Sequence, residues 1–245
     1  MKFARYTLNR SLAPWIGDDH PDVLHGDLGG VPPNAWLLPP CVPSKIVCVG
    51  RNYAEHAKEL GNEVPAEPTI FLKPPSSLLG SGGVIVYPRL SQRLDYEGEL
   101  GVVIGQRARN VKSSDAARYI LGYTCVNDAT ARDLQRKDSQ WTRGKGYDTF
   151  CPVGPCMVPR DEVDLASLRV RTFVDGEKKQ DAPISEMMFS VNDIIAYISG
   201  FMTLEPGDLI ATGTPAGVGP LQPGSQVRIE IDGVGVLENT VTAED

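Results

Sequence analysis

The residues best placed to do chemistry in this 245-residue chain are Glu97 and Glu99, two acids in the run Asp95-Tyr96-Glu97-Gly98-Glu99-Leu100-Gly101-Val102-Val103-Ile104-Gly105. Its Val-Val-Ile end, bounded by Arg93 and Gly105, reads as a β-strand. Strand side chains alternate faces, so both carboxylates point the same way. Residues i and i+2 of a strand stand roughly 6.5 Å apart, a span that one cation between the carboxylate tips can bridge. Without a cation the two repel. Asp128 supplies a third carboxylate at the end of the strand-like run from Ile120 to Asn127. Three carboxylates with no neighbouring His or Cys pair describe an all-oxygen site. Such a site suits hard Mg²⁺, Mn²⁺ or Ca²⁺ better than zinc and leaves coordination positions for water or substrate.

Two further groups of side chains could act beside such a site. Asn52-Tyr53-Ala54-Glu55 has the form of a helix start, with Asn52 as cap, Glu55 reaching back, and Gly61 as the stop. On that helix His56 and Glu59 are three apart and share a face, as a base and its orienting carboxylate do. Farther on, Arg132, Arg136, Lys137, Arg143 and Lys145 outnumber Asp133 and Asp138, a local excess that suits an anionic substrate. Helical spacing from Ala129 to Arg136 sets Arg132 and Gln135 on one side.

The elements that must position these groups are mostly short strands. The chain carries 25 Gly and 20 Pro, more than average usage, with 41% hydrophobic and 22% charged residues, the profile of a globular protein rich in turns. Strands are expected at 45–50, 69–73, 84–87, 120–127 and 170–174, the last before an Asp175-Gly176 turn. A closing hairpin is expected over 226–231 and 235–241. A helix is expected from Ser113 to Tyr119, capped by Ser113 or Ser114, and another from Ser190 or Asn192 through Ile198. Residues 1–44, rich in Pro, Gly and Asp, read as a small N-terminal lobe that Trp15, Trp36, Leu37 and Leu38 could tuck against a main domain of 45–245.

Composition also excludes. A net charge of −7 and a pI near 5.1 argue against a general binder of nucleic acid or anionic membrane. No apolar run approaches the ~18 residues of a membrane span and no secretory leader opens the chain, so a cytoplasmic protein is expected. The five cysteines, at 41, 48, 125, 151 and 156, form no regular framework and read as reduced, buried thiols. No phosphate-binding glycine loop and no nucleophile elbow occurs.

Six motifs in order resemble the fumarylacetoacetate hydrolase family, above all its acylpyruvase-like and 2-hydroxyhepta-2,4-diene-1,7-dioate isomerase-like branch. They are Gly50-Arg51-Asn52-Tyr53-Ala54-Glu55-His56, Phe71-Leu72-Lys73-Pro74, the Asp95–Gly105 run, Asn127-Asp128-Ala129-Thr130-Ala131-Arg132-Asp133-Leu134-Gln135, Gly144-Lys145 and Gly213-Thr214-Pro215-Ala216-Gly217-Val218-Gly219. The resemblance covers about residues 45 to 240. It implies an α+β, β-rich fold, a mixed β-sandwich roll with a small N-terminal lobe, and a homodimer. It implies Glu97, Glu99 and Asp128 as ligands of Mg²⁺ or Mn²⁺, with Ca²⁺ possible in a crystal. It further implies His56 and Glu59 as a water-activating pair on a lid helix, Lys145 beside the substrate oxyanion, and Arg51, Tyr53, Arg132, Gln135 and Thr214 on the substrate. Where many relatives read Gln-x-Gly-Asn-Thr, this chain has Gln180-Asp181-Ala182-Pro183-Ile184, so contacts from that loop are not carried over. The expected activity is metal-dependent cleavage of a carbon–carbon bond in a 2,4-diketo acid, an acylpyruvate. The alternatives are isomerisation, tautomerisation or decarboxylation of a keto acid on the same metal, and a non-catalytic metal-binding scaffold.

Overall fold

A computed structural model describes residues 1–9, 20–59, 61 and 65–245. Trp15 lies outside the described residues. Among the latter, β-strands dominate and assemble into three sheets. The largest has ten strands. Eight run in the order Leu24–Asp27, Phe3–Thr7, Cys151–Pro159, Ile120–Asn127, Gly98–Ile104, Leu209–Ala211, Ile46–Gly50, Thr69–Lys73, while Trp36–Leu38 pairs with Phe3–Thr7 and Leu78–Leu79 with Cys151–Pro159. A five-stranded sheet runs Glu177–Pro183, Arg169–Val174, Gln226–Ile231, Gly235–Ala243, Val84–Tyr87. The sheets are mixed. Leu209–Ala211 runs parallel to Ile46–Gly50, and Gly235–Ala243 parallel to Val84–Tyr87, whereas most other pairs are antiparallel. The architecture is the expected β-rich α+β sandwich, with a few short helices.

The main core fills the space between the large sheet, the five-stranded sheet and the helix Val191–Phe201. Leu100, Val102 and Ile104 meet Val170, Ile229 and Ile231, and Ile194, Ile195 and Ile198 close one side. Alternation explains the strand faces: Arg169–Val174 and Gln226–Ile231 bury every second residue. By contrast Gly98–Ile104 is buried along its whole length, as a central strand covered on both faces must be. All five cysteines are free and buried. Among the described residues no helix is long and apolar enough to cross a membrane.

Three local expectations are corrected. The run through Glu97 and Glu99 is not one strand. Leu94–Tyr96 belongs to a three-stranded sheet with Thr130–Ala131 and Gly219–Leu221, whereas Gly98–Ile104 enters the large one. Glu97 is the crossover, its N–H taken by Asn127 Oδ1 at 3.0 Å and its carbonyl accepting from the Asp128 N–H at 2.9 Å. Asn52 does not cap the helix Ala54–Glu59: its amide is spent on the backbone of Phe189 and Thr212. Glu55 pairs with Lys58 instead of reaching back. Ser113–Tyr119 is a 3₁₀ helix whose Ser113 hydroxyl bonds Asp193. Gly61 does end the helix as expected, with φ 70 and its N–H on the Lys58 carbonyl, and Ser190 does cap Val191–Phe201.

Gly98, between the two acids, is where the sheets meet. A Cβ there would stand 2.2 Å from Thr172 Oγ1 and 3.2 Å from Gln180 Oε1. Thr172 is fully buried and β-branched, with little freedom to move aside. Gly98→Ala is therefore expected to lower stability by roughly 1–3 kcal/mol, the usual cost of overpacking, read as a lower urea midpoint. An unchanged midpoint would show that Thr172 and Gln180 yield freely.

Candidate active site

Antiparallel pairing of Gly98–Ile104 with Ile120–Asn127 sets Val126 opposite Glu99 and Asn127 opposite Gly98. Asp128, the next residue, thus arrives beside Glu97. Each of Glu97, Glu99 and Asp128 offers a carboxylate oxygen within 4.8 Å of the others, and all three are buried. Three buried cations hold two of them, Glu97 and Asp128. Lys145, at the end of the short helix Thr142–Lys145, donates to Glu97 Oε2 at 2.8 Å and Asp128 Oδ2 at 2.5 Å. Lys73, at the end of Thr69–Lys73, donates to the other Asp128 oxygen at 2.6 Å. Arg132, first in the helix Arg132–Lys137, bonds Glu97 Oε1, Asp95 Oδ2 at 2.8 Å, and Gln135 Oε1 at 2.7 Å.

Four buried carboxylates, Asp95 included, thus face three buried cations, and Glu99 is the one left over. Among the described residues no cation pairs with it; it accepts the Gly213 N–H at 2.8 Å. Burial, then the Asp128 and Glu97 charges, push its carboxyl well above the usual range. Glu97 goes the other way: burial works against it, but Lys145 and Arg132 hold it ionised below the usual range. Lys145 is held protonated above its ordinary value by Asp128 and Glu97 despite burial. An all-oxygen set with one uncompensated acid fits a hard divalent cation, without distinguishing among Mg²⁺, Mn²⁺ and Ca²⁺.

His56 closes the site from the helix Ala54–Glu59. It is 4% exposed, and its Nδ1 stands 3.3 Å from Glu59 Oε2. Burial lowers its pKa below the ordinary imidazole value, partly offset by the Glu97 and Glu59 charges. Glu59 in turn accepts from the Gly217 N–H at 3.1 and 3.2 Å, while Tyr96 Oη donates to the Gly217 carbonyl at 2.7 Å. Glycine is needed at 213, where φ is 102 and a Cβ would meet that of Asn52 at 2.7 Å.

A cavity of about 260 Å³ joins these groups, lined by the acidic triad, His56, Arg132, Lys145, Gln135, Thr214 and Arg51. Sequence reasoning singled out all of these. Tyr53 is placed elsewhere: it lines a neighbouring cavity of about 350 Å³ with Glu55, Glu186 and Pro215, and its buried hydroxyl has no hydrogen-bond partner among the described residues. Of the basic segment, Arg132, Arg136 and Lys145 reach the main cavity, whereas Arg143 pairs with Asp138 outside it. Gln180 reaches the floor of the site: it accepts from the Gly98 N–H at 3.0 Å and donates to Thr214 Oγ1 at 2.8 Å.

Lys73, Asp95, Phe71 and Trp141 were given no role from sequence. For Lys73 and Phe71 a signal existed: alternation along Thr69–Lys73 puts both on one face, and a lysine ending an apolar strand asks for a buried counter-ion. Trp141 gave none. The thiols of Cys48 and Cys151, beneath the site, are pushed up by burial, the latter to about 12, which leaves neither as a thiolate nucleophile.

A family model described as fumarylacetoacetate (FAA) hydrolase C-terminal matches residues 45–242. The chain is 50% identical over 196 residues to a mitochondrial oxaloacetate decarboxylase of Dictyostelium discoideum, covering 78% of this chain and 89% of that one. It is 44% identical over 216 residues to a human mitochondrial oxaloacetate tautomerase, covering 84% and 69% respectively. The crystal structure of 2-hydroxyhepta-2,4-diene-1,7-dioate isomerase from Mycobacterium marinum superposes with a TM-score of 0.80 at 46% identity, covering 90% of this chain and 81% of that one.

The unpaired carboxyl of Glu99, which only a bound cation would hold ionised, generates a test. Mn²⁺ at about a hundred times its Kd should stabilise the fold by about 2.7 kcal/mol, raising the melting temperature by roughly 5–10 °C. Glu99→Gln should match or exceed the wild type in stability without the cation and lose most of the rise. A wild-type melting temperature indifferent to both Mn²⁺ and Mg²⁺ would contradict the fit.

Proposed function

The chain belongs to the fumarylacetoacetate hydrolase family, and from that premise we propose that it moves a proton at the carbon next to the keto group of a 2-keto acid, interconverting keto and enol forms. One observation carries the reading: a buried imidazole, oriented by a carboxylate, opens into the cavity that holds the acidic triad. Burial keeps His56 neutral, the form a general base needs. With Glu59 as acceptor at Nδ1, the lone pair left free is on Nε2. Mg²⁺ or Mn²⁺ held by Glu97, Glu99 and Asp128 would supply a Lewis acid for the keto-acid head of the substrate.

The other side chains bind and balance charge. Gln135, its carbonyl oxygen taken by Arg132, offers its amide N–H to the substrate's keto-acid end, whereas the Thr214 hydroxyl already donates to the Gly98 carbonyl. Removing the proton leaves an enolate, and Lys145, already protonated and buried, faces that developing charge with no reorganisation. Proton delivery to a different carbon is isomerisation; delivery to the enolate oxygen completes tautomerisation to the enol, and the same steps in reverse return the enol to the keto acid. Loss of CO₂ from the carbon next to the keto group leaves an enolate of the same kind, shorter by that carboxylate, which relates the decarboxylase to this scheme. The similarity to an oxaloacetate tautomerase, an oxaloacetate decarboxylase and a dienedioate isomerase supports proton transfer over acylpyruvate hydrolysis.

Oxaloacetate enol, followed by its ultraviolet absorbance with Mg²⁺ or Mn²⁺, is the first substrate to test, beside pyruvate release from acetylpyruvate. Faster loss of the enol without matching pyruvate release supports proton transfer; stoichiometric pyruvate from acetylpyruvate at the higher kcat/KM would favour hydrolysis instead. His56→Ala should lower kcat by about 10²–10⁴ while leaving cation affinity unchanged; unchanged turnover would remove His56 from the chemistry. Because the folded-state pKa of His56 is depressed, the base form persists as pH falls through 6.5. The acid limb of kcat/KM should therefore lie below that value, and a limb above it would contradict the assignment.

A further inference from the structure

The identity of the triad's ligands leaves the choice among hard cations open, but the hydrogen bonds those ligands already make narrow it. Each of the three carboxylates has one oxygen held by a donor of its own. Lys73 donates to Asp128 Oδ1 at 2.6 Å, Arg132 donates to Glu97 Oε1, and the Gly213 N–H donates to Glu99 Oε2 at 2.8 Å. On the remaining oxygens of Glu97 and Asp128 the donor is Lys145, which bridges the two. A cation entering the triad has to take oxygens from one group of donors or the other.

The first group is anchored outside the triad. The Lys73 ammonium is fully buried, donates also to the Ala129 carbonyl at 3.1 Å and lies 6.0 Å from the centroid of the Phe150 ring. Its strand, Thr69–Lys73, is paired residue by residue with Ile46–Gly50, which fixes where the side chain starts. Arg132 spends its Nε on Asp95 Oδ2 and a terminal nitrogen on Gln135 Oε1. The Gly213 N–H is part of the main chain, in a conformation with φ 102 packed against Asn52. Lys145 is held differently: beyond the two acids its ammonium meets the face of Phe71, 4.9 Å from the ring centroid, and it ends a helix of four residues. Lys145 is therefore the donor that yields, with the cation's charge replacing its own. Moving Lys73 would instead strand a buried ammonium, which is costly.

We infer that Lys73 is a positioning residue that makes Asp128 a one-oxygen ligand, and that together with Arg132 and the Gly213 N–H it sets the site for Mg²⁺ against Ca²⁺. The inference rests on the cation reading of the triad. Ca²⁺ takes roughly six to eight oxygens at about 2.3–2.6 Å and draws affinity from carboxylates that give both of theirs, whereas Mg²⁺ demands near-octahedral geometry at about 2.0–2.1 Å and keeps several waters. Three acids that each give one oxygen supply half of an octahedron. The other half is left to water and substrate, and a larger ion is left short of ligands. Withdrawing the Lys73 hydrogen bond would return the second oxygen of Asp128 to the site.

The test is binding, measured by calorimetry on the full chain stripped of divalent ions with a chelator, with Mg²⁺ and Ca²⁺ titrated in parallel. The readout is the ratio of the two dissociation constants, because a merely structural lysine would weaken both ions alike. In the wild type Mg²⁺ should bind at least as tightly as Ca²⁺. Lys73→Met should shift the ratio towards Ca²⁺ by about tenfold or more, within the range usual for partners of metal ligands. Lys73→Arg, which keeps a charged donor, should retain most of the wild-type ratio. Lys145→Met removes an equal charge from the other oxygens and should tighten both ions together with the ratio unchanged. A wild type that binds Ca²⁺ more tightly than Mg²⁺, which needs no variant to observe, would overturn the inference, as would a ratio indifferent to Lys73→Met. Binding of neither ion would overturn the cation reading itself and this inference with it. Because the readout is binding, none of these results depends on which keto-acid reaction the site carries out.

Discussion

The structure is organised around the repulsion among three carboxylates brought within 4.8 Å of one another inside the protein. Burying such a group of charges is costly unless each finds a counter-charge and hydrogen bonds. Lys145 bridges Glu97 and Asp128, Lys73 takes the far oxygen of Asp128, and Arg132 ties Glu97 to Asp95. These cations come from different elements, so the charge cluster fixes the ends of a strand and two short helices relative to the central sheet. Glu99 stays uncompensated, and that leaves room for one more positive charge.

The same constraint accounts for the fold around the site. Glu97 can serve two sheets because the chain changes sheet there, and Gly98 admits Thr172 and Gln180 from the five-stranded sheet against the backbone. On the opposite side, Asn52 locks the approach to the His56 helix onto Phe189 and Thr212. Glu59 then joins that helix to the glycine-rich loop at Gly217. Base, acids and loop are thus coupled through a few side chains, as a site that must transfer a proton over a short distance requires.

Much of this was legible in the residues. Strand alternation, the Asp175-Gly176 turn and the Ser190 cap read correctly because each is a local preference that the tertiary structure does not oppose. The triad could be found because alternation sets Glu97 and Glu99 on one face and the six motifs resemble the family's, and His56 with Glu59 because helical spacing makes them neighbours. What stayed hidden depends on long-range packing. The break at Glu97 comes from pairing with Asn127, and Asn52 was misread as a cap because its partners are some 137 and 160 residues away in sequence. Trp141 and Arg51 meet across some 90 residues, and no pattern in either segment announces it.

The central claim is that one divalent cation completes the charge balance of Glu97, Glu99 and Asp128. The most direct measurement is anomalous scattering from a crystal grown with Mn²⁺. A single strong peak within about 2.0–2.6 Å of one oxygen from each of the three carboxylates is the expected result. No peak there, with Lys145 still bridging Glu97 and Asp128 at saturating Mn²⁺, would contradict it.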